Sequence, residues 1–138
     1  PCPEVEANVG GRTFKYFVVP PHVEPRLPNF VIRSTGDSPK DGSVYGISSE
    51  VRPEFRPYAV FHELIEFDEL GIDVRGRCRT AMDIEMNAVP ENIKLDYARM
   101  RHQFFQDLIH YARANPKNFT DEDIVEMKDT FKGLEALI

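Results

Sequence analysis

The chain has no tryptophan and only two cysteines. It also has no apolar run approaching the ~18 residues that a membrane-spanning helix needs. Each scarcity excludes something. Cys2 and Cys78 are too few and too far apart for the disulfide framework of a small secreted domain, so two free thiols in a reducing compartment are expected. Pro1-Cys2-Pro3-Glu4 offers neither a basic start nor an apolar stretch, so no signal peptide and a cytoplasmic location are expected. Positive charge is scarce too: 17 Lys and Arg stand against 23 Asp and Glu, a net charge of −6. A duplex nucleic-acid partner needs Lys and Arg against its phosphates, and an anionic membrane surface needs them as well, so neither partner is expected. Gly10-Gly11 lacks the Lys and Ser/Thr of a phosphate-binding loop.

What is present fits one domain over residues 1–138, with ten phenylalanines for its core. Residues 1–52 hold seven of the eleven prolines and short apolar runs. Thr13–Val19, Asn29–Arg33 and, more weakly, Ser43–Ile47 read as strands. Ser34–Gly42 reads as a polar loop, and the proline-rich stretch Pro20–Pro28 as extended chain. From residue 53 to 138 the period changes to that of helices. One starts near Arg56 or Tyr58 and ends at Gly71; others run over Cys78–Ala88 and Glu91–Ala114. A last one opens at Thr120, with Asp123 placed to complete a capping box. Strands followed by helices predict an α+β fold, a small antiparallel sheet of two to four strands covered by three or four helices.

The stretch Tyr58–Leu70 mixes large apolar and ionisable side chains most densely. On an α-helical wheel Val60, Phe61, Leu64, Ile65 and Phe67 share one arc, while Tyr58, His62, Glu66 and Glu69 share the opposite one. The polar arc therefore has two readings. As a surface helix, it is a solvated acidic face. As chemistry, His62-Glu63-Leu64-Ile65-Glu66 is one residue from the zinc-protease pattern His-Glu-x-x-His, with His62 and Glu66 as ligands one turn apart and Glu63 as general base.

Glu85 follows Glu66 after an 18-residue spacer, and this spacing resembles that of the gluzincin zinc peptidases, whose third ligand is such a Glu. The resemblance covers four residues and does not make the chain a member. Where that class has its second His, Glu66 stands here. The implied set of one imidazole and two carboxylates would suit Mn²⁺ or Fe²⁺ as well as Zn²⁺. Glu85 also falls within the apolar arc of its own helix, and Arg101 within that of the next. A buried Glu85–Arg101 pair between the two helices would settle both anomalies and is the preferred reading of Glu85.

Other candidates carry less. Asp107 and His110 have an i, i+3 ligand spacing but lie on a polar arc, where a local surface pair is the simpler reading. His102, beside Gln106 and Arg113, reads the same way, and nothing places His22 near a site. Cys78 sits among Arg75, Arg77 and Arg79 near a helix start, a setting that favours a reactive thiolate, although its place in the apolar arc favours a packed thiol. The three arginines could also hold an anion. Two functions follow. The preferred one is a non-catalytic interaction or accessory protein with no cofactor, binding a protein partner or a second copy of itself through the acidic helix face. The alternative is a metal-dependent hydrolase with His62, Glu66 and Glu85 around a divalent Zn, Mn or Fe ion and Glu63 as base.

Overall fold

A computed structural model describes residues 2–35, 43–71 and 74–138. The fold is α+β, a four-stranded sheet followed by helices. Strands β1 (Glu4–Val9), β2 (Arg12–Val19), β3 (Val31–Thr35) and β4 (Ser43–Ser48) lie in the order β1-β2-β4-β3. The sheet is mixed, which corrects the antiparallel expectation: β1–β2 and β3–β4 are antiparallel, but β2 and β4 run parallel. The reason is the proline-rich stretch, which carries the chain across the sheet so that β3 can form the far edge. β1 is a strand the sequence reading missed, because its mostly exposed Glu-Val-Glu-Ala-Asn-Val run lacks the bulk of an interior strand. Most of the expected loop over residues 34–42 lies outside the described residues.

Helix α1 (Arg56–Glu63) runs on without a break into a π-helical segment, Leu64–Leu70, that stops at Gly71 with φ 85°. The Gly71 N–H closes an i→i+5 bond of 3.1 Å to the Glu66 carbonyl. Helices α2 (Arg77–Ala88), α3 (Glu91–Ala114) and α4 (Asp121–Glu135) follow. The capping box of α4 is present: the Asp123 N–H donates to Thr120 Oγ1 at 3.1 Å, and the Thr120 N–H to Asp123 Oδ2 at 2.8 Å. Among the described residues no helix is long and apolar enough to cross a membrane.

α1 is the middle layer. It touches β1, β3 and β4 on one side and α2 on the other. Phe61, fully buried, stacks on Phe14 of β2 with ring centroids 6.3 Å apart. Burying a side chain of that size is worth about 1.5–3 kcal/mol, enough to fix which way the helix faces. On its other side, Tyr58 meets Tyr97 of α3 edge-on at 5.9 Å. Packing on both sides covers the part of the polar arc that holds His62 and Glu66 and leaves Glu69 exposed, which overturns the surface-helix reading for the first two. Both are buried, at 2 % and 9 % exposure.

Candidate metal centre

Three helices each bring polar groups to the space behind α1. α1 supplies His62, and its π-helical continuation supplies Glu66. Their i, i+4 spacing puts Glu66 Oε2 2.8 Å from His62 Nε2. α2 supplies Cys78 and Glu85, seven residues apart and so on one face of that helix. α3 supplies Tyr97 and Arg101, again one turn apart.

Glu85 is the hub. Its Oε1 lies 2.8 Å from His62 Nδ1, and its Oε2 accepts from the Tyr97 hydroxyl. Arg101 brings Nε to 2.9 Å from Oε2 and Nη2 to 3.4 Å from Oε1. The Nε approach is an ion pair rather than a hydrogen bond, since its N–H does not line up with the carboxylate. Glu85 and Arg101 are at 0 % and 1 % exposure. On the sequence, Glu85 stood either as a third metal ligand or as the buried partner of Arg101; the carboxylate meets Arg101 and also His62 Nδ1, and so anchors both side chains.

The second carboxylate is held as firmly. Glu66 accepts from His62 on one oxygen and from Arg77 Nε, at 3.1 Å, on the other. Cys78 Sγ lies 3.8 Å from His62 Nε2. His62, Glu66 and Cys78 thus each offer a donor atom, and all three atoms lie within 4.8 Å of one another, a group able to hold a metal ion. Glu85 sits on the opposite ring nitrogen, away from that group.

The charges follow from these contacts. Burial alone would push the His62 imidazolium toward deprotonation, but hydrogen bonds with Cys78, Glu66 and Glu85 outweigh it and hold the pKa well above its ordinary value. Burial acts on Glu66 as well, yet His62 and Arg77 draw its pKa below the usual carboxylate value. Burial, followed by the charge on Glu85, drives the Tyr97 hydroxyl far up, so it donates as a neutral phenol. Glu63 is different. Burial, opposed by His62 and Arg101 and reinforced by Glu66, raises it to about 7.

The network opens onto a pocket of about 390 Å³. His62, Glu63, Glu66, Arg77, Cys78 and Arg101 form its polar end, and Leu27, Phe67, Phe104, Leu108, Phe119 and Met127 give it apolar walls. That size and balance are those of a small-molecule site.

The remaining candidates lie elsewhere. Asp107 accepts from Gln103, and His102 stacks on Phe131 while facing Glu135. His22 lines a separate shallow depression beside Phe30 and Ser48. Arg77 is committed to Glu66, and Arg79 to Asp83 and Asp129, which leaves little for the anion site expected of the arginine triplet. Cys78 is buried and free. Tyr97 and Arg77 belong to the network, although Tyr97 was not among the expected residues and Arg77 was expected only as part of an anion site. The signal for Tyr97 was its position one turn before Arg101 on the same arc. No known protein family, curated protein or solved structure matches the chain.

Proposed function

We propose that the chain is a small metal-dependent hydrolase whose ion is held by His62 Nε2, Glu66 Oε2 and Cys78 Sγ. The observation that carries the reading is the convergence of these three unlike donors at the polar end of a pocket. Ligands around a tetrahedral Zn²⁺ lie about 3.5 Å from one another, given metal–ligand bonds of about 2.0–2.3 Å. The 2.8 Å and 3.8 Å separations from Nε2 straddle that value, and all three donor atoms lie within 4.8 Å of one another. The thiolate makes Zn²⁺ a better match than Mn²⁺.

Glu85 then serves as an orienting residue. It accepts the Nδ1 proton, which fixes the tautomer that leaves Nε2 free, as carboxylates commonly do for metal-bound histidines. Without an ion, a proton on Nε2 bridges to Glu66 in its place. His62, Glu66 and Cys78 would hold the ion beside the pocket they line, and the ion would supply an acidified water and a polarised carbonyl. Glu63, on the same wall and raised to about 7, would be the group placed to accept and return a proton there. Arg77 keeps Glu66 ionised and aimed. A cytoplasmic setting fits, since a reducing compartment keeps Cys78 available as a ligand.

Metal analysis of protein purified without chelator tests the reading. Zinc near one equivalent is expected, with His62→Ala and Cys78→Ser each losing most of it. Metal-free protein whose melting temperature ignores both chelator and added zinc would sink the proposal.

A second reading, a non-catalytic protein that docks on a partner or a second copy, is favoured by a different observation. The sheet face turned away from α1 carries Phe17, Val19, Ile32 and Val44 around a shallow depression, and Ile32 and Val44 are exposed. Gly46 lies among them, and a side chain there would meet Ile32 at 2.9 Å. Of the expected contact surface, the polar arc of the first helix, His62 and Glu66 are buried and only Glu69 remains exposed. Sedimentation at rising concentration decides self-association through the sheet face: a monomer throughout removes it.

A further inference from the structure

Arg101 is almost wholly buried, and its Nη1 has no hydrogen-bond partner among the described residues. A buried donor left unsatisfied costs about 1–3 kcal/mol, more when it is charged, so such a group calls for an explanation. Glu85 already takes the Nε and Nη2 side of the guanidinium. The remaining edge is closed to water but belongs to a residue that lines the 390 Å³ pocket, so a group bound there is the nearest source of a partner. Phe104 and Phe105 flank the guanidinium at 5.0 and 5.3 Å, hold it in place and exclude water from its faces. A planar fork fixed in this way matches a carboxylate. Asp123 and Glu126 also line the pocket, and their charge disfavours a dianion. Apart from Asn118, the rest of the wall is apolar, with Phe67, Phe104, Phe105 and Phe119 in it.

We infer that this pocket takes a small monocarboxylate with an apolar or aromatic body, its carboxylate held on the Nη1 edge of Arg101 and its body against Phe104, Leu108 and Phe119. The assignment deepens the hydrolase reading, since it names the class of molecule presented to His62, Glu66 and Cys78. It rests on that pocket but does not require the ion. Arg101 is a binding residue in this arrangement, while its other edge anchors Glu85.

Calorimetric titration of chelator-treated full-length protein provides the test, with 3-phenylpropionate, its neutral counterpart 3-phenylpropan-1-ol, and inorganic phosphate as probes. The acid should bind at least tenfold more tightly than the alcohol or phosphate. Arg101→Lys retains a cation for Glu85 but lacks the second arm of the fork, so it should lose that preference. Leu108→Trp, which fills the pocket and leaves the polar network intact, should abolish binding of acid and alcohol alike, and it serves should the lysine variant not fold. Equal binding of acid and alcohol would overturn the role of Arg101, and binding by phosphate as tight as by the acid would overturn the ligand class. No binding of either organic probe, or acid affinity untouched by Leu108→Trp, would remove the pocket from consideration. Acid binding that appears only after zinc is restored would assign the carboxylate to the ion instead. Zinc content, measured on the same preparation before chelation, reports separately on the metal reading: protein without zinc that still binds the acid keeps this inference and loses that one.

Discussion

The helix that begins at Arg56 presents acids to two surroundings, and they behave differently. Toward α2 and α3, Glu66 joins His62, and Glu85 reaches across to meet them away from water. Toward the sheet edge, Asp68 accepts from Tyr45, from Ser43 at 2.8 Å and from Arg33 at 3.2 Å, while Glu69 pairs with Arg12 at 2.7 Å. The outer pairs are at or near the surface, with side chains between 28 and 39 % exposed. The chemistry of the groups is the same on both sides. What differs is the alternative open to each when its partner is lost: an outer acid turns to water, an inner one has nowhere to go. Outer contacts therefore trim stability, and inner ones decide whether the layers can close at all.

Removing the hub should have the largest effect. Glu85→Leu leaves Arg101 and the charged His62 without their common carboxylate, and a loss of about 3–5 kcal/mol is expected, a drop of about 10–20 °C in melting temperature. Adding Arg101→Met to it should recover a good part, because the stranded cation goes too. If the double variant is no better than the single one, Arg101 is not sustained by Glu85 and the inner network is not one unit.

Next comes Glu63, where the sign is reversed. The folded chain holds this proton to about pH 7, whereas the unfolded chain releases it near the ordinary carboxylate value of 4.5. Between those two values the native state binds more protons, so stability falls as pH rises. In chelator-treated protein, Glu63→Gln should therefore be the more stable form at pH 8 by about 2–3 kcal/mol, allowing for a side chain only partly withdrawn from water, with the gain gone at pH 4. Denaturant melts at the two pH values measure it. An equal effect at both would mean that the proton is not what matters.

The outer side should respond less. Tyr45, Ser43 and Arg33 outweigh burial and hold Asp68 below its ordinary 3.8, so its contribution is present at neutral pH and disappears as pH falls through the folded value. Asp68→Asn should cost about 1 kcal/mol at pH 7 and nothing in strong acid, as read by thermal melts across that range. The smallest change is expected of Arg12→Ala, under about 1 kcal/mol and shrinking with added salt, because its pair with Glu69 stands in solvent. A loss above 2 kcal/mol there would erase the contrast between the two sides.

The same contrast explains what could be read in the sequence. The later helices were legible because each carries its own punctuation: Gly71 and Gly76 around the connector, Pro90 before α3, and the Thr120–Asp123 box. Glu85 and Arg101 stood out as charges on apolar arcs, a mismatch that needs only helical periodicity to see. The burial of His62 was not legible, since a wheel reports which residues share a face and not how many faces are covered. Nor was the pairing of β2 with β4, which is set by how far the proline-rich crossover travels. The choice between Glu85 and Cys78 beside the Nε2 atom depends on which ring nitrogen each approaches, a matter of interhelical geometry that spacing in the chain does not encode.

The π-helical segment has a consequence of its own. An α-helix advances about 100° per residue, and the wider coil over Leu64–Leu70 advances less, so it accommodates one residue more than an α-helical path of similar extent. A chain shortened by one residue here could close ordinary i→i+4 bonds. Its backbone would gain regularity, while Asp68 and Glu69 would swing about a quarter-turn away from Tyr45 and Arg12. Upstream of the lesion, His62 would keep its orientation, whereas the swing would begin at Glu66 or just after it, according to which residue was lost. The extra residue thus acts as a phase adjuster, letting one continuous helix satisfy two partners whose spacings do not agree.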